Sequence, residues 1–162
     1  MNTDRNDLKH HGITRGIIGS FYEVYNELGP GFLEAVYVEA LSLALRAEGL
    51  SVYRELPIKV FFRGQVIGRF RADVVVNGKV LVEIKALPRL EPIHGAQTLN
   101  YLRATALEVG LLLNFGRRPQ FRRLRFDNAF KVRAPAPAIG KLRLATSRSN
   151  PLPSVLISGC FT

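Results

Sequence analysis

The sequence contains one cysteine, Cys160, three histidines and no tryptophan, and it lacks a long uninterrupted apolar run. A single cysteine cannot form an internal disulfide, and the thiols and imidazoles are too few for a Cys/His zinc cluster. A metal site would therefore need oxygen ligands. No segment approaches the roughly 18 apolar residues of a membrane span, and residues 1–12 are polar and of mixed charge. We expect a cytoplasmic protein with no signal peptide and no membrane partner.

The composition is that of a globular protein with an uneven charge distribution. The 162 residues are 47% hydrophobic and 22% charged, which suits the core of one ordinary domain. Residues 1–116 hold 13 basic and 12 acidic side chains, whereas residues 117–162 hold 10 basic and one acidic. Clustered cations favour a nucleic acid, because their binding releases counterions from phosphates. The alternative is a basic end that is only solvated.

Hydrophobic periodicity predicts three helices and five strands in the order ααβββαββ. The predicted helices cover residues 13–28, 32–48 and 93–107, and the predicted strands cover residues 52–62, 65–76, 79–86, 109–115 and 120–126. The second helix is apolar on almost every side, so we expect it to be buried between layers. The pattern predicts an α/β sandwich with a mixed central sheet over residues 1–127. Residues 128–162 are predicted to form a basic, proline-containing irregular extension.

Three charged side chains interrupt the apolar strands. Asp73 lies in one strand, and Glu83 and Lys85 share a face of the next. A two-residue turn at Asn77-Gly78 would place Asp73 and Glu83 on opposite faces of the sheet. A three-residue turn over residues 76–78, with Gly78 in the left-handed conformation, would return them to one face. We predict the odd-length turn or an equivalent bulge.

Two carboxylates and a lysine on adjacent strands suit metal-assisted phosphodiester cleavage. Mg²⁺ prefers oxygen ligands and can activate water and offset phosphoryl charge, while the lysine orients the water or stabilises the developing charge. The alternative is an interior Asp/Glu/Lys ion-pair network without catalytic function.

Two helices carry further candidates. Glu34 lies in the first turn of the second helix, where its ordinary role is to complement the helix dipole. His94, Gln97 and Tyr101 form one stripe on the third helix. Gln97 and Tyr101 can hydrogen-bond phosphate or stack a base, or they can form the polar rim of a half-buried helix.

The sequence ELGPGFLEAVY at residues 27–37 resembles the signature of the GxxExxY proteins, a bacterial family in the PD-(D/E)xK nuclease superfamily. Four further blocks resemble that family in the same order: RAD at 71–73, VEIKA at 82–86, AQTLNYL at 96–102 and LLNFG at 112–116. The resemblance extends from about residue 12 to residue 126. Many relatives carry a histidine where this chain has Tyr25, and residues 128–162 have no counterpart.

The resemblance implies a restriction-endonuclease-like fold and a set of site residues. Asp73, Glu83 and Lys85 match the catalytic triad of the superfamily, and Glu34 matches the helix carboxylate that completes the metal site. Gln97 and Tyr101 match the Gln-x-x-x-Tyr element of RecB-like nucleases, which lies beside the substrate strand.

These observations support two hypotheses. The first is a Mg²⁺-dependent (or Mn²⁺-dependent) nuclease acting on DNA, with Glu34, Asp73 and Glu83 as metal ligands. The second is a non-catalytic nucleic-acid-binding or regulatory module that retains the fold. Its binding cations would be Arg117, Arg118, Arg122, Arg123 and Arg125. Nucleases of this type often pair to cut both strands, so a homodimer is compatible with the first hypothesis, although no dimer interface is evident. A basic end that contacts an acidic protein explains the charge asymmetry but not the clustered Asp, Glu and Lys.

Overall fold

A computed structural model describes residues 9–131 of the chain, which contain three α-helices and five β-strands. The helices are α1 (His11–Leu28), α2 (Glu34–Ala47) and α3 (Pro92–Ala104), and the strands are β1 (Val52–Phe62), β2 (Gln65–Val76), β3 (Val80–Lys85), β4 (Val109–Asn114) and β5 (Gln120–Arg125). This order confirms the predicted ααβββαββ arrangement. Helix α1 ends at Gly29, which has a φ of 66° and donates its N–H to the Tyr25 carbonyl oxygen.

The five strands form one mixed sheet in the order β1-β2-β3-β4-β5. β3 and β4 are parallel, and every other neighbouring pair is antiparallel. A parallel pair requires a long crossover connection, which α3 supplies. The carboxyl ends of β3 and β4 therefore lie at the same edge of the sheet, where Lys85 is paired with Asn114.

Helices cover both faces of the sheet. On one face, Phe21 of α1 and Leu41 of α2 pack against Ile84 of β3, and all three are fully buried. On the other face, Leu102 of α3 packs against Leu81 of β3. Each such aliphatic side chain contributes about 2 kcal/mol by burial. The layered arrangement is that of the predicted restriction-endonuclease-like sandwich.

The expected burial of α2 on two sides is wrong. Leu43 is 59% exposed and Val36 is 40% exposed, while Tyr37 and Leu45 on the opposite side are fully buried. Helix α2 therefore has one buried face. Val36 and Leu43 are aliphatic but are not covered by another layer, and the charged Glu39 and Arg46 are exposed as well. Hydrophobic composition alone does not determine which side of a helix meets another layer.

β1 and β2 form a ribbon that projects past the rest of the sheet. Their register runs from Val52 and Val76 at one end to Phe62 and Gln65 at the other, whereas β2 pairs with β3 only over residues 74–76. The β1–β2 ladder is interrupted at Glu55, which has a φ of 52°. Residues 57–71 form the projecting part, which we call the distal ribbon.

The first residues of the predicted extension pack onto the domain. Asn128–Phe130 form a 3₁₀ turn, and the Asn128 N–H donates to the Glu108 carboxylate at 2.7 Å. The Lys131 ammonium donates to the carbonyl oxygens of Thr105 and Leu107 at 2.8 and 2.6 Å. The rest of the predicted extension, residues 132–162, lies outside the described residues, and the domain boundary at residue 127 stays a prediction.

Candidate active site

The turn between β2 and β3 sets the positions of Asp73 and Glu83. The turn contains three residues, Asn77, Gly78 and Lys79, because the flanking Val76 and Val80 are paired. The predicted odd-length turn is confirmed, but it lies one residue later than expected. Gly78 is left-handed with a φ of 62°, as predicted, and Asn77 is left-handed as well, with a φ of 52°.

Asp73 lies where β2 and β3 separate. The register of the paired residues aligns Asp73 with Glu83, yet the last paired residues are Val74 and Val82. Beyond that point the Oδ2 atom of Asp73 accepts the backbone N–H of Ile84 at 2.8 Å. A carboxylate oxygen thus satisfies an amide that the strand ladder leaves free, and this bond fixes the carboxyl group beside β3.

Glu83 is the most deeply buried of the site residues. Its neighbours in sequence, Val82 and Ile84, belong to the core beneath α1 and α2, so strand alternation turns Glu83 and Lys85 toward the α3 side. Glu83 is 3% exposed, and its Oε1 atom is buried with no hydrogen-bond partner among the described residues. An unsatisfied buried oxygen of this kind is costly and calls for a compensating cation.

Lys85 lies between the two glutamates. Its Nζ is 4.0 Å from Oε2 of Glu83 and 3.9 Å from Oε2 of Glu34. The Lys85 side chain is 16% exposed, and the Glu34 side chain is 46% exposed. The lysine therefore links the first turn of α2 to β3 through two loose ion pairs.

The three carboxyl groups act on one another electrostatically. Burial and the charge of Asp73 raise the pKa of Glu83 to about 8, although Lys85 opposes the shift. Burial also raises the pKa of Asp73, against the stabilising effect of the Ile84 N–H. The pKa of Glu34 is raised by burial and, to a smaller extent, by Asp73. Like charges held close together in a low-dielectric site favour proton uptake or a bound cation.

The carboxylates are not assembled into a finished metal cage. Within residues 9–131, no group of three or more His, Cys, Asp or Glu side chains is placed to hold a metal ion together. The structure gives a physical reason, since the Lys85 ammonium lies between Glu34 and Glu83. The donor set still fits a divalent cation, because these are hard oxygen ligands with raised pKa values and one of the buried oxygens lacks a partner.

Tyr37 positions the first turn of α2, a role that the sequence reasoning missed. Its hydroxyl donates to the Gly29 carbonyl oxygen at 2.7 Å and accepts the Phe32 N–H at 3.1 Å. Its ring stacks on Phe115 with centroids 4.3 Å apart. These contacts fix the loop that leads into Glu34. The sequence signal is the three-residue spacing of Glu34 and Tyr37.

Asn114 and Gly116 hold the segment that follows Lys85, and this role was also missed. The buried Asn114 amide accepts the Leu87 N–H and donates to the Leu87 carbonyl oxygen, both at 2.9 Å. A Cβ at Gly116 would lie 2.0 Å from that carbonyl oxygen, so only glycine fits there. The LLNFG block therefore holds Leu87, two residues after the end of β3, against the end of β4.

Gln97 and Tyr101 lie on α3, on the side of the sheet toward which Glu83 is turned. The Gln97 side-chain amide donates to the Tyr101 hydroxyl at 2.8 Å. Tyr101 is 6% exposed, and its ring packs against Phe70 with centroids 5.6 Å apart. The ring of Tyr101 is therefore not free to stack a base, and Gln97, which is partly exposed, is the member of the pair that can reach a ligand.

His94 stabilises the start of α3. Its Nδ1 accepts the Glu91 N–H at 3.0 Å, which is one half of a capping box, and Pro92 begins the helix. The third member of the predicted stripe thus has a structural role.

Arg117 and Arg118 follow β4 at the edge of the sheet that holds Lys85. Both side chains are exposed. The Tyr25 hydroxyl donates to the Arg117 carbonyl oxygen at 2.7 Å, so Tyr25 tethers this turn. The two arginines therefore follow the end of β4 that is paired with the end of β3.

The basic strand β5 is less available than its sequence suggests. The Arg125 guanidinium donates to both carboxylate oxygens of Asp127, at 2.7 and 2.5 Å, and Arg123 donates to the Lys9 carbonyl oxygen at 2.8 Å. Arg122 is exposed. Two of the five cations proposed for nucleic-acid binding therefore make contacts within the domain.

The family model of the PD-(D/E)XK nuclease superfamily matches residues 11–124. Among solved structures, the crystal structure of SSO0001 is similar with 19% identity and a TM-score of 0.47. The match covers 57% of this chain and 50% of that one, so the chain spans about half the length of that protein. No curated protein matches.

None of the helices within residues 9–131 has the length and apolar character needed to cross a bilayer. The family match covers more than half of the sequence and includes both site strands and the first turn of α2. The chain belongs to the PD-(D/E)XK nuclease superfamily.

Proposed function

We propose that this protein is a Mg²⁺-dependent nuclease of the GxxExxY type that hydrolyses phosphodiester bonds of DNA in the cytoplasm, with Mn²⁺ able to replace Mg²⁺. The observation that carries the proposal is the Glu83 carboxyl group. It is buried, one of its oxygens has no partner in the described chain, and it lies beside a second carboxylate and a lysine. A purely structural network would satisfy that oxygen.

Asp73 and Glu83 are the residues that would hold the cation, with Glu34 completing the set. The bound cation supplies Lewis acidity, which polarises the phosphoryl group and makes water a better nucleophile. Asp73 already has one oxygen engaged by the Ile84 N–H, and its second oxygen can act as a ligand. Binding of a cation replaces the protons that raised pKa values favour on these groups.

The remaining residues bind and orient the substrate. Lys85 is placed to orient the attacking water or to stabilise negative charge on the phosphoryl oxygens. Gln97 can donate to a phosphate from the α3 side, and Arg117 and Arg118 can pair with neighbouring phosphates at the same edge. The role of Tyr101 is to orient Gln97 through its hydroxyl.

A cleavage panel tests the proposal. Purified protein is incubated with single-stranded, duplex and branched DNA and with RNA, each with Mg²⁺, with Mn²⁺ and with a chelator. We expect cleavage of DNA that requires the metal and is restored when Mg²⁺ is added back. The products also separate nicking by one copy from double-strand cutting by a homodimer. Equal cleavage in chelator, or no cleavage of any substrate with either metal, would refute the proposal.

A second candidate, a non-catalytic nucleic-acid-binding module, is favoured by one observation. Lys85 lies between Glu34 and Glu83, and the described residues contain no ready-made metal group. In this case the charges neutralise one another, and binding depends on the exposed arginines of the β4–β5 turn. Metal ions would then be irrelevant to folding and binding.

Thermal stability in the presence of metal separates the two candidates. A ligand that binds only the folded chain stabilises it by about 2.7 kcal/mol at a concentration a hundred times its Kd. For the nuclease we expect Mg²⁺ or Mn²⁺ to raise the Tm of the wild type by several degrees beyond the effect of an equal ionic strength of NaCl.

Two variants control this titration. Glu83→Gln should lose the metal-dependent rise in Tm, and Glu48→Gln, at the far end of α2, should keep it. A wild type whose Tm does not respond to either metal would favour the non-catalytic module.

A further inference from the structure

The distal ribbon carries an unusual concentration of positive charge. Residues 57–71 contain four basic side chains and no acidic one. The cations are Lys59, Arg63, Arg69 and Arg71, and all four are exposed. This segment lies within residues 1–116, whose net charge is close to zero. The charge distribution along the whole chain therefore does not reveal the cluster.

Strand register places three of these cations on one face of the ribbon. Lys59 is directly opposite Arg69, and Arg71 is two residues farther along the same strand as Arg69. The other face is apolar and turned toward α3: Ile58 is 2% exposed, and Phe70, which is 47% exposed, contacts the Tyr101 ring of α3. The cationic face is therefore the one turned away from α3.

Like charges directly opposite in a ladder cost stability. Within residues 9–131, neither Lys59 nor Arg69 makes an ion pair with a carboxylate. The third cation of this face, Arg71, lies 3.7 Å from the Glu55 carboxylate, and both of these side chains are about 70% exposed. An acidic or neutral residue at position 59 or 69 would give a more stable ladder than two opposed cations. The unrelieved pair points to an anionic partner.

The ribbon projects at the same edge as the candidate active site. Val76 is paired with Val80 in antiparallel strands, so β2 traced back from Val76 toward Arg71 and β3 traced forward from Val80 to Lys85 run toward the same edge of the sheet. The rest of the ribbon extends beyond that edge. Arg117 and Arg118 follow β4 at this edge, on the other side of β3.

We propose that the cationic face of the distal ribbon binds the phosphate backbone of duplex DNA. This face lies on the α2 side of the sheet, so the substrate track that it forms reaches the active site where Glu34 of α2 meets Lys85. The inference rests on the proposed function, because the track leads to the residues assigned to cleavage. The occupant follows from charge complementarity and from shape, since the major groove of B-DNA, about 12 Å wide, admits a two-stranded β-ribbon. The ribbon would hold the duplex DNA on one side, and Arg117 and Arg118 of the β4–β5 turn would hold it on the other. The duplex then crosses the ends of β2 and β3.

The test is DNA binding by the full chain in chelator, where no cleavage occurs. The ribbon variant is Lys59→Gln with Arg69→Gln. The matched control is Lys79→Gln with Arg46→Gln. Lys79 lies in the turn at the opposite end of β3 from Lys85, and Arg46 lies in the last turn of α2, at the end away from Glu34. Affinity for a labelled duplex and for a single strand is measured over a series of salt concentrations.

For the ribbon variant we expect a roughly tenfold weaker duplex affinity and a salt slope that is smaller by about 0.9 per lost phosphate contact, hence by about 1.8. Its Tm should equal or exceed that of the wild type, since a repulsive pair has been removed. The control should bind like the wild type. These results together support the ribbon as a duplex contact.

Three results overturn the proposal: unchanged duplex binding by the ribbon variant, equal losses in the ribbon variant and the control, or a loss confined to single strands. Cleavage by the wild type is scored separately in Mg²⁺. A wild type that does not cleave but shows the ribbon effect refutes the nuclease and retains the ribbon. A wild type that cleaves while the ribbon variant binds normally refutes the ribbon alone.

Discussion

Replacing Lys85 with alanine is expected to lower the turnover of DNA cleavage by about a thousandfold, equivalent to about 4 kcal/mol of transition-state stabilisation. Lys85 is the one ammonium recorded within 4.0 Å of both Glu34 and Glu83 in the described chain, and its side chain is 16% exposed. Its charge is needed most when negative charge develops on the phosphoryl oxygens. The loss should therefore appear mainly in kcat rather than in KM, measured with the preferred substrate in saturating Mg²⁺.

Lys79→Ala is the matched control, because Lys79 lies in the turn at the opposite end of the same strand. It should cleave at the wild-type rate. Lys85→Arg keeps the charge and tests whether position or charge matters more. Folding of each variant is checked by its thermal transition. Retention of more than about a tenth of the activity by a folded Lys85→Ala protein would place the chemistry elsewhere.

Glu83 is expected to make the metal-free protein less stable as the pH rises. Its pKa is raised from 4.5 to about 8, so between these values the folded chain holds a proton that the unfolded chain has released. Stability therefore falls with increasing pH across this window and is lowest above about pH 8. The displacement corresponds to at most about 5 kcal/mol. Chemical denaturation at several pH values in chelator measures it.

Glu83→Gln should remove most of this slope, because the amide cannot ionise, and above pH 8 it should be more stable than the wild type. His10 acts in the opposite direction: burial lowers its pKa, so its contribution to stability increases as the pH rises through its titration range. Comparing the wild type with the variant cancels that contribution. Parallel pH profiles for the two proteins would show that Glu83 is ionised in the fold without cost.

Local patterns in the sequence predicted much of this site. Strand alternation placed Glu83 and Lys85 on one face, and the Asn-Gly pair limited the turn to two alternatives that differ in parity. The need for Asp73 and Glu83 to share a face selected the odd-length turn. Its position was one residue off because Asn77 also adopts a left-handed conformation, which asparagine tolerates better than most residues.

Long-range contacts explain what could not be predicted. The amide of Asn114 bonds Leu87, 27 residues earlier, and no local period encodes that pair. The burial of Tyr101 depends on Phe70, which belongs to the ribbon rather than to α3. Likewise, Val36 and Leu43 of α2 are apolar but exposed, so hydrophobicity alone predicted a covering layer that the described chain does not supply.

The loose ion pairs of Lys85 with Glu34 and Glu83 also could not be predicted from the spacing of these residues in the sequence. The resemblance predicts the order of Asp73, Glu83 and Lys85 along the chain, but the distances between them depend on where β2 and β3 diverge. That divergence begins after Val74 and Val82, at the residue whose carboxylate captures the Ile84 N–H. The same divergence leaves the Glu83 carboxyl group without a full set of partners.

The interruption of β1 near Glu55 has a consequence for self-association. β1 is one of the two edge strands of the described sheet, and a straight edge strand of 11 residues would offer a template for fibril growth. The left-handed Glu55 bends the strand, and Pro57 two residues later has no amide hydrogen to donate. Lys59 adds a charge that repels an identical strand. The outer edge of β1 is thereby protected from edge-to-edge aggregation.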